Sequence, residues 1–255
     1  MSGEAGEATS GFAEVRAPET YGPWLTLGLS AACLVLMMGV GTAVSVPAVW
    51  VLCSLLGRPF PPLRELQGDG LFLVVATAVS AAITIAFLAA AVAFRRVRFR
   101  DYLNLRLPGW RDTARWCAFL ALFLAASDLT TVSLGRPLVQ PWMASIYEDA
   151  GSLVLLALAI LVLAPFHEEL LFRGFLFKGI ECSRWGGAAA IALSALPWAL
   201  LHVQYDVYGM GLILAEGVFL GVCRLRTKST GLAILMHGLA NAVALIETAV
   251  HADLN

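Results

Sequence analysis

Charge is scarce in this chain: Asp, Glu, Lys and Arg make up 14% of its 255 residues. Soluble domains carry about a quarter, so a water-facing polar shell is out of reach and a soluble globular fold is excluded. Cysteine frameworks are missing too. The five cysteines, Cys33, Cys53, Cys117, Cys182 and Cys223, are odd in number, lie mostly in apolar runs and show no CxxC spacing, which argues against disulfides or a zinc knuckle. Cys182 and Cys223 stand near expected helix ends, where lipidation competes with a plain packing role that the composition favours. Several proteolytic signatures are also absent. His167-Glu168 is followed by Glu169, Leu170 and Leu171, so no HExxH forms; there is no GxSxG turn, and Tyr205-Asp206 has no GxGD around it. Zincin, serine and aspartyl schemes thereby lose their main support. No basic stretch leads into a short apolar core with a small-residue cleavage site, so a removable signal peptide is not expected.

What the chain has is apolar length. It is 59% hydrophobic with a mean hydropathy of +0.79, and its apolar runs reach the roughly 20 residues that cross a hydrocarbon layer. The expectation is an all-α, polytopic transmembrane helical bundle of about seven or eight spans, an integral multi-pass membrane protein.

Residues 1–21 are rich in Gly, Glu, Ala, Ser and Thr and read as a disordered tail. Residues 22–150 then hold three spans. Trp24 to Leu56 contains no charge and reads as one tilted span with a kink near Pro47. A proline-rich loop from Arg58 to Gly70 leads to the second span, Leu71 to Phe94. The cluster RRVRFR, Arg95 to Arg100, opens a basic segment over 95–115 in which Leu103, Leu105, Leu107 and Trp110 alternate with arginines. It is expected to lie in the membrane interface among lipid headgroups, and nucleic acid is not a partner. The third span, Trp116 to about Leu134, carries Asp128, and a loop with Pro137, Pro141, Glu148 and Asp149 follows it.

Residues 151–250 form the expected catalytic core: Leu153 to about Ile180, Trp185 to His202, Val207 to Val222 and Thr230 to Val250. Gly217 and Gly221 are spaced for close helix packing. With the N-terminus cytoplasmic, all of the 17 Lys and Arg residues except Arg58, Arg64 and Arg136 fall inside, as the positive-inside rule favours.

Ionisable groups within spans are costly enough to mark function, and three sets stand out. The first is HEELLFRGF, His167 to Phe175. There Glu169 and Arg173 are four apart and can pair, while Glu168 is turned by about 100° and left free. The second is WALLH, Trp198 to His202, and the third HGLAN, His237 to Asn241, each with two polar or aromatic groups on one face. Together they suit water activation. Glu168 could act as general base on a water also held by His202, while His237 and Asn241 donate to the oxyanion of a scissile carbonyl. A zinc set of Glu168, His202 and His237 with an open fourth position is the alternative left open by the residues. His167, turned away from Glu168, is left out of the site, and Asp128, Glu216 and Glu247 read as satisfied structural contacts.

These motifs carry a family resemblance. EELLFR is similar to the EExxxR motif of the CAAX-protease and bacteriocin-processing (CPBP, or ABI) family, relatives of the type II CAAX prenyl endopeptidase. WALLH resembles its FxxxH motif with Trp198 in place of Phe, and HGLAN its HxxxN motif, in matching order over roughly Leu153 to Leu245. The resemblance implies an intramembrane endopeptidase, glutamate-dependent with no cofactor expected, although older descriptions of the family assume a metalloprotease. By motif position it implies Glu168 as base, His202 as second water ligand, His237 and Asn241 as oxyanion stabilisers, and Glu169, Arg173 and Trp198 as support. A membrane peptide or prenylated protein C-terminus would be the substrate. Two rival classes remain at this level: a proton-coupled transporter, against which the lack of an internal repeat counts, and a non-proteolytic membrane regulator or immunity protein.

Overall fold

The computed structural model describes residues 20–254, so most of the expected tail, residues 1–19, lies outside the described chain. Among the described residues there are helices and no strands. They run α1 (Pro23–Leu56), α2 (Gly70–Phe94), α3 (Phe99–Tyr102), α4 (Trp110–Ser133), α5 (Pro141–Glu148), α6 (Leu153–Glu181), α7 (Gly186–Leu200), α8 (Val207–Thr227) and α9 (Thr230–Leu254). The six helices α1, α2, α4, α6, α8 and α9 are long and apolar enough to cross a membrane. Helix α7 is apolar but has only 15 residues, about 22 Å at 1.5 Å per residue.

The bundle is arranged for lipid. The buried face of α1 is Thr26, Ser30, Cys33, Gly41, Ser45, Val49 and Cys53, while Val35, Leu55 and Leu56 stand at least two-thirds exposed. Helix α2 turns Thr77, Ala81, Thr84 and Leu88 inward. Small and hydroxyl-bearing residues let the backbones approach, and bulky apolar ones meet the hydrocarbon. Helix α1 runs unbroken past Pro47 and stops at Gly57, whose φ of 66° is the left-handed conformation that glycine adopts without strain. Asp69 starts α2 by accepting from the Phe72 amide at 2.8 Å and from Arg58 at 2.5 Å.

Three details depart from the sequence reading. Tyr21, assigned to the tail, is part of the fold: its hydroxyl donates to the Ala91 carbonyl at 2.7 Å and its ring lies 5.9 Å from that of Phe175. The basic segment, expected in the interface, is only partly exposed. Arg96, Arg98, Arg100, Arg106, Arg111 and Arg115 are exposed, but Tyr102 and Leu103 are fully buried, and Tyr102 stacks on Phe175 at 5.8 Å. Burial pushes the Tyr102 phenol up to about 12. The expected loop before α6 contains helix α5, started by Pro141 and held by buried Met143 and Ile146, three apart on one face. Trp142 and Ser145 donate to the carbonyls of Gln67 and Gly68, tying α5 to the start of α2.

Helix α6 is central, and it is not a uniform α-helix. Two π-helical stretches interrupt it, Ala159–Leu163 and Leu170–Leu176, and the paired glutamates sit between them. Pro165 gives a reason for the first. It has no N–H for the carbonyls of Leu161 or Ile160, one turn back, and α9 packs against both. Asn241 Nδ2 donates to the Ile160 oxygen at 2.8 Å, and a Cβ on Gly238 would sit 2.8 Å from the Leu161 oxygen. In the second stretch, the Arg173 carbonyl accepts from Arg224 Nε at 3.0 Å and from the Thr230 hydroxyl at 3.3 Å. The backbone groups freed by π winding thus anchor α8 and α9, a common use of such bulges.

Candidate active site

The three motifs, spread over some seventy residues of sequence, meet between α6, α7, α8 and α9. Glu169 and Arg173 pair as the spacing predicts, Nη1 to Oε1 at 2.7 Å, with both side chains fully buried. The arginine also donates from Nη2 to the Gly217 carbonyl at 3.1 Å, and its guanidinium lies 4.5 Å from the Trp198 ring centre. Gly217 makes this possible, because a Cβ there would fall 3.0 Å from Trp198 Cε3 and 3.2 Å from Arg173 Nη2. Gly221 similarly lies against Ile191, so the small pair of α8 does pack against α7.

Glu169 has a second partner. Its Oε1 lies 3.1 Å from His237 Nδ1, so the histidine expected opposite Glu168 is bonded to Glu169, which bridges Arg173 and His237. Glu168 instead accepts from the Trp198 indole N–H at 2.5 Å. It also sits within electrostatic reach of His237, His167 and His202.

Trp198, only 1% exposed, is the hub of the site. Its ring meets His202 edge-on at 5.1 Å and His237 edge-on at 5.2 Å, the latter at 81°. Read as a stand-in for phenylalanine, it contributes something phenylalanine lacks, a hydrogen-bond donor aimed at Glu168. The indole nitrogen was the signal in the sequence, four residues before a histidine and in a span with few other donors.

His202 lies past the end of α7, in the turn 201–206. Its Nδ1 is 2.8 Å from the Trp198 carbonyl; that oxygen can only accept, so Nδ1 carries the hydrogen and Nε2 is left as an acceptor. Helix α7 starts at Gly186, with φ of 72°, and ends at Leu200. Gly187 brings its start against Leu225, which a Cβ would approach to 2.6 Å.

Trp198, His202, His237 and Asn241 line one cavity of about 200 Å³ together with Tyr205, Glu216, Asp128 and Glu247. Asn241 uses one N–H on Ile160 and keeps a second, since a carboxamide has two. Burial pushes the Tyr205 phenol above its ordinary range, and the Glu216 and Glu168 carboxylates add to this, so it faces the cavity as a neutral donor. His167 Nδ1 lies 2.7 Å from the Leu163 carbonyl. Among the described residues no three His, Cys, Asp or Glu side chains gather in a way that could hold a metal ion; Glu168, His202 and His237 are turned to the separate partners given above.

Comparison with known proteins agrees with the motifs. Residues 150–243 match the family model described as Rce1-like, type II CAAX prenyl endopeptidase Rce1-like. The segment that holds all three motifs is therefore similar to that family. A protein of Escherichia coli described as "Uncharacterized 24.3 kDa protein" is 27% identical over 150 residues, which covers 56% of this chain and 64% of that relative. The match thus spans less than two thirds of the relative's own length. No solved structure matches the chain.

Proposed function

We propose that the protein is an intramembrane endopeptidase that hydrolyses a peptide bond near the membrane surface with a water activated by Glu168. The observation that carries this is the meeting of three distant motifs: Trp198, His202, His237 and Asn241 line one cavity, and the first motif, which does not itself line it, is joined to them by the bonds of Glu168 to Trp198 and of Glu169 to His237. In this scheme Glu168 takes a proton from a water whose other hydrogen is held by His202 Nε2. The hydroxide adds to the scissile carbonyl carbon. The oxyanion accepts from His237 Nε2–H and from the free N–H of Asn241; each such donor is worth about 10² to 10³ in rate. Collapse of the tetrahedral intermediate breaks the C–N bond, and the proton stored on Glu168 goes to the leaving amine.

The scheme assigns a charge state to the buried cluster. For His237 to donate from Nε2 while Nδ1–H faces Glu169, it must be an imidazolium. With Arg173 cationic and both glutamates ionised, the four charges cancel, which offsets their burial. Glu169 and Arg173 thus support the oxyanion donor as well as the helix. The substrate we infer is a membrane-proximal peptide, with a prenylated C-terminus as the class that the family description suggests.

The test is cleavage by the full chain in proteoliposomes, of one peptide with and without a prenyl group, and with a chelator in parallel. Cleavage by the unsubstituted protein that disappears in Glu168→Gln supports the reading, and turnover that survives this change refutes it. Loss of activity on chelation would replace the glutamate scheme with a metal-dependent one. A second reading has one observation behind it: Asp128 on α4 and Glu247 on α9 stand beside each other and line the same cavity, as a proton relay would require. Uptake driven by a pH gradient in the Glu168→Gln protein, without cleavage by either form, would establish that transport reading.

A further inference from the structure

Glu216 is a carboxyl of the cavity that the proposed chemistry does not use. Three carboxyl groups line this cavity, Asp128, Glu216 and Glu247, and no lysine or arginine does. Asp128 and Glu247 stand beside each other across α4 and α9. Glu216 differs, because its Oε1 is buried and has no hydrogen-bond partner among the described residues. His237 and Arg173 lie within electrostatic reach of Glu216, but neither bonds this oxygen: His237 Nδ1 faces Glu169, and Arg173 gives Nη1 to Glu169 and Nη2 to the Gly217 carbonyl.

Glu216 is also held in place. The carbonyl of the next residue is fixed by Arg173, and Gly217 lies against Trp198 and Ala195 with no room for a Cβ. The carboxyl lines the same cavity as Trp198, the residue bonded to Glu168. Phe123, Leu124, Leu212 and Ile213 supply an apolar wall to the same cavity.

We infer that Glu216 is a specificity-determining residue of this site and selects peptides that carry a lysine or arginine side chain beside the scissile bond. The inference rests on the endopeptidase reading above. A buried carboxyl oxygen without a donor is costly, and a charge-assisted bond from an ammonium or guanidinium is the strongest way to satisfy it. The methylene stem of either side chain suits the apolar wall while its head reaches the carboxylate. A neutral side chain would leave Glu216 unpartnered, and an acidic one would meet three carboxyl groups.

Binding tests this independently of turnover. The full chain carrying Glu168→Gln is placed in nanodiscs of neutral phosphatidylcholine. Three fluorescent peptides are titrated that differ only in lysine, norleucine or glutamate beside the bond. The lysine peptide should bind at least about tenfold more tightly than the norleucine peptide, and the glutamate peptide most weakly. Adding Glu216→Gln should bring the lysine to norleucine ratio to about one while norleucine binding persists, which shows that the cavity is intact. A ratio near one before that change overturns the inference, as does a preference that survives it, which would belong to Asp128 and Glu247. Absence of binding by all three peptides overturns it too. Selective binding by this variant with no cleavage by the unsubstituted protein sinks the endopeptidase reading alone, and cleavage by the unsubstituted protein without lysine preference sinks this one alone.

Discussion

Changing each of the two adjacent glutamates to glutamine should have very different effects on stability. Glu169 is fully buried and bridges Arg173 at 2.7 Å and His237 at 3.1 Å. Glu169→Gln keeps the shape but removes the charge, leaving a guanidinium with 0% exposure facing an amide. Breaking a buried pair from one side costs about 3–5 kcal/mol. On the scale of soluble domains of 150–250 residues, where 1 kcal/mol moves Tm by about 2–4 °C, that is a fall of about 6–20 °C. Glu168 makes one hydrogen bond, to Trp198. Glu168→Gln keeps an acceptor there and weakens a charge-assisted bond to a neutral one, a loss of about 1 kcal/mol, hence about 2–4 °C. The assay is thermal unfolding in detergent, followed with a thiol-reactive fluorophore that labels Cys33, Cys53 and Cys223, all free and buried, as they become exposed. Combining Glu169→Gln with Arg173→Met should recover part of the loss, because removing both charges is far cheaper than removing one. Equal Tm values for the two glutamine variants would refute this division between a bridging and a free carboxylate.

Further expectations follow from single contacts. Gly238→Ala places a methyl 2.8 Å from the Leu161 oxygen, so α9 must shift from α6 and strain the Asn241 to Ile160 bond; Tm should fall by several degrees, whereas Gly211→Ala, with nothing within 4 Å, should leave Tm unchanged or raised. Trp198→Phe keeps an aromatic ring between His202 and His237 but deletes the donor to Glu168; kcat/KM in proteoliposomes should fall by about tenfold or more, the worth of a hydrogen bond to a charged group, with a smaller effect on Tm than Glu169→Gln. Asp69→Ala removes both the cap on the Phe72 amide and the Arg58 pair, and should destabilise the α1–α2 hairpin by about 1–2 kcal/mol, while Asp69→Asn, which retains the cap, should cost less.

Within the site, the features legible from the residues are the local ones. The Glu169–Arg173 pair needs only a spacing of four on one helix, and Gly217 and Gly221 announce a close approach to some neighbour. The bonds of Glu169 to His237 and of Glu168 to Trp198 span 68 and 30 residues, and no periodicity on one helix reports where another helix presents its side chains. Glu216 looked like an ordinary buried contact for the same reason. Helix α5 was hidden by its prolines and acids, which read as loop punctuation, and the π stretches of α6 by a sequence that helical bonding of either kind would fit. The buried Tyr102 was hidden among arginines.

Composition and run length by themselves determined that this is a helical membrane protein, because a bilayer satisfies no backbone hydrogen bonds and admits few charges. Which face of each helix turns inward was left to the tertiary structure, since lipid and bundle interior are equally apolar and a hydropathy pattern cannot tell them apart. So was the division of labour between the two glutamates. They are neighbours in sequence, and the winding of α6 between two π stretches, with α7, α8 and α9 docked around it, gives one to Arg173 and His237 and the other to Trp198.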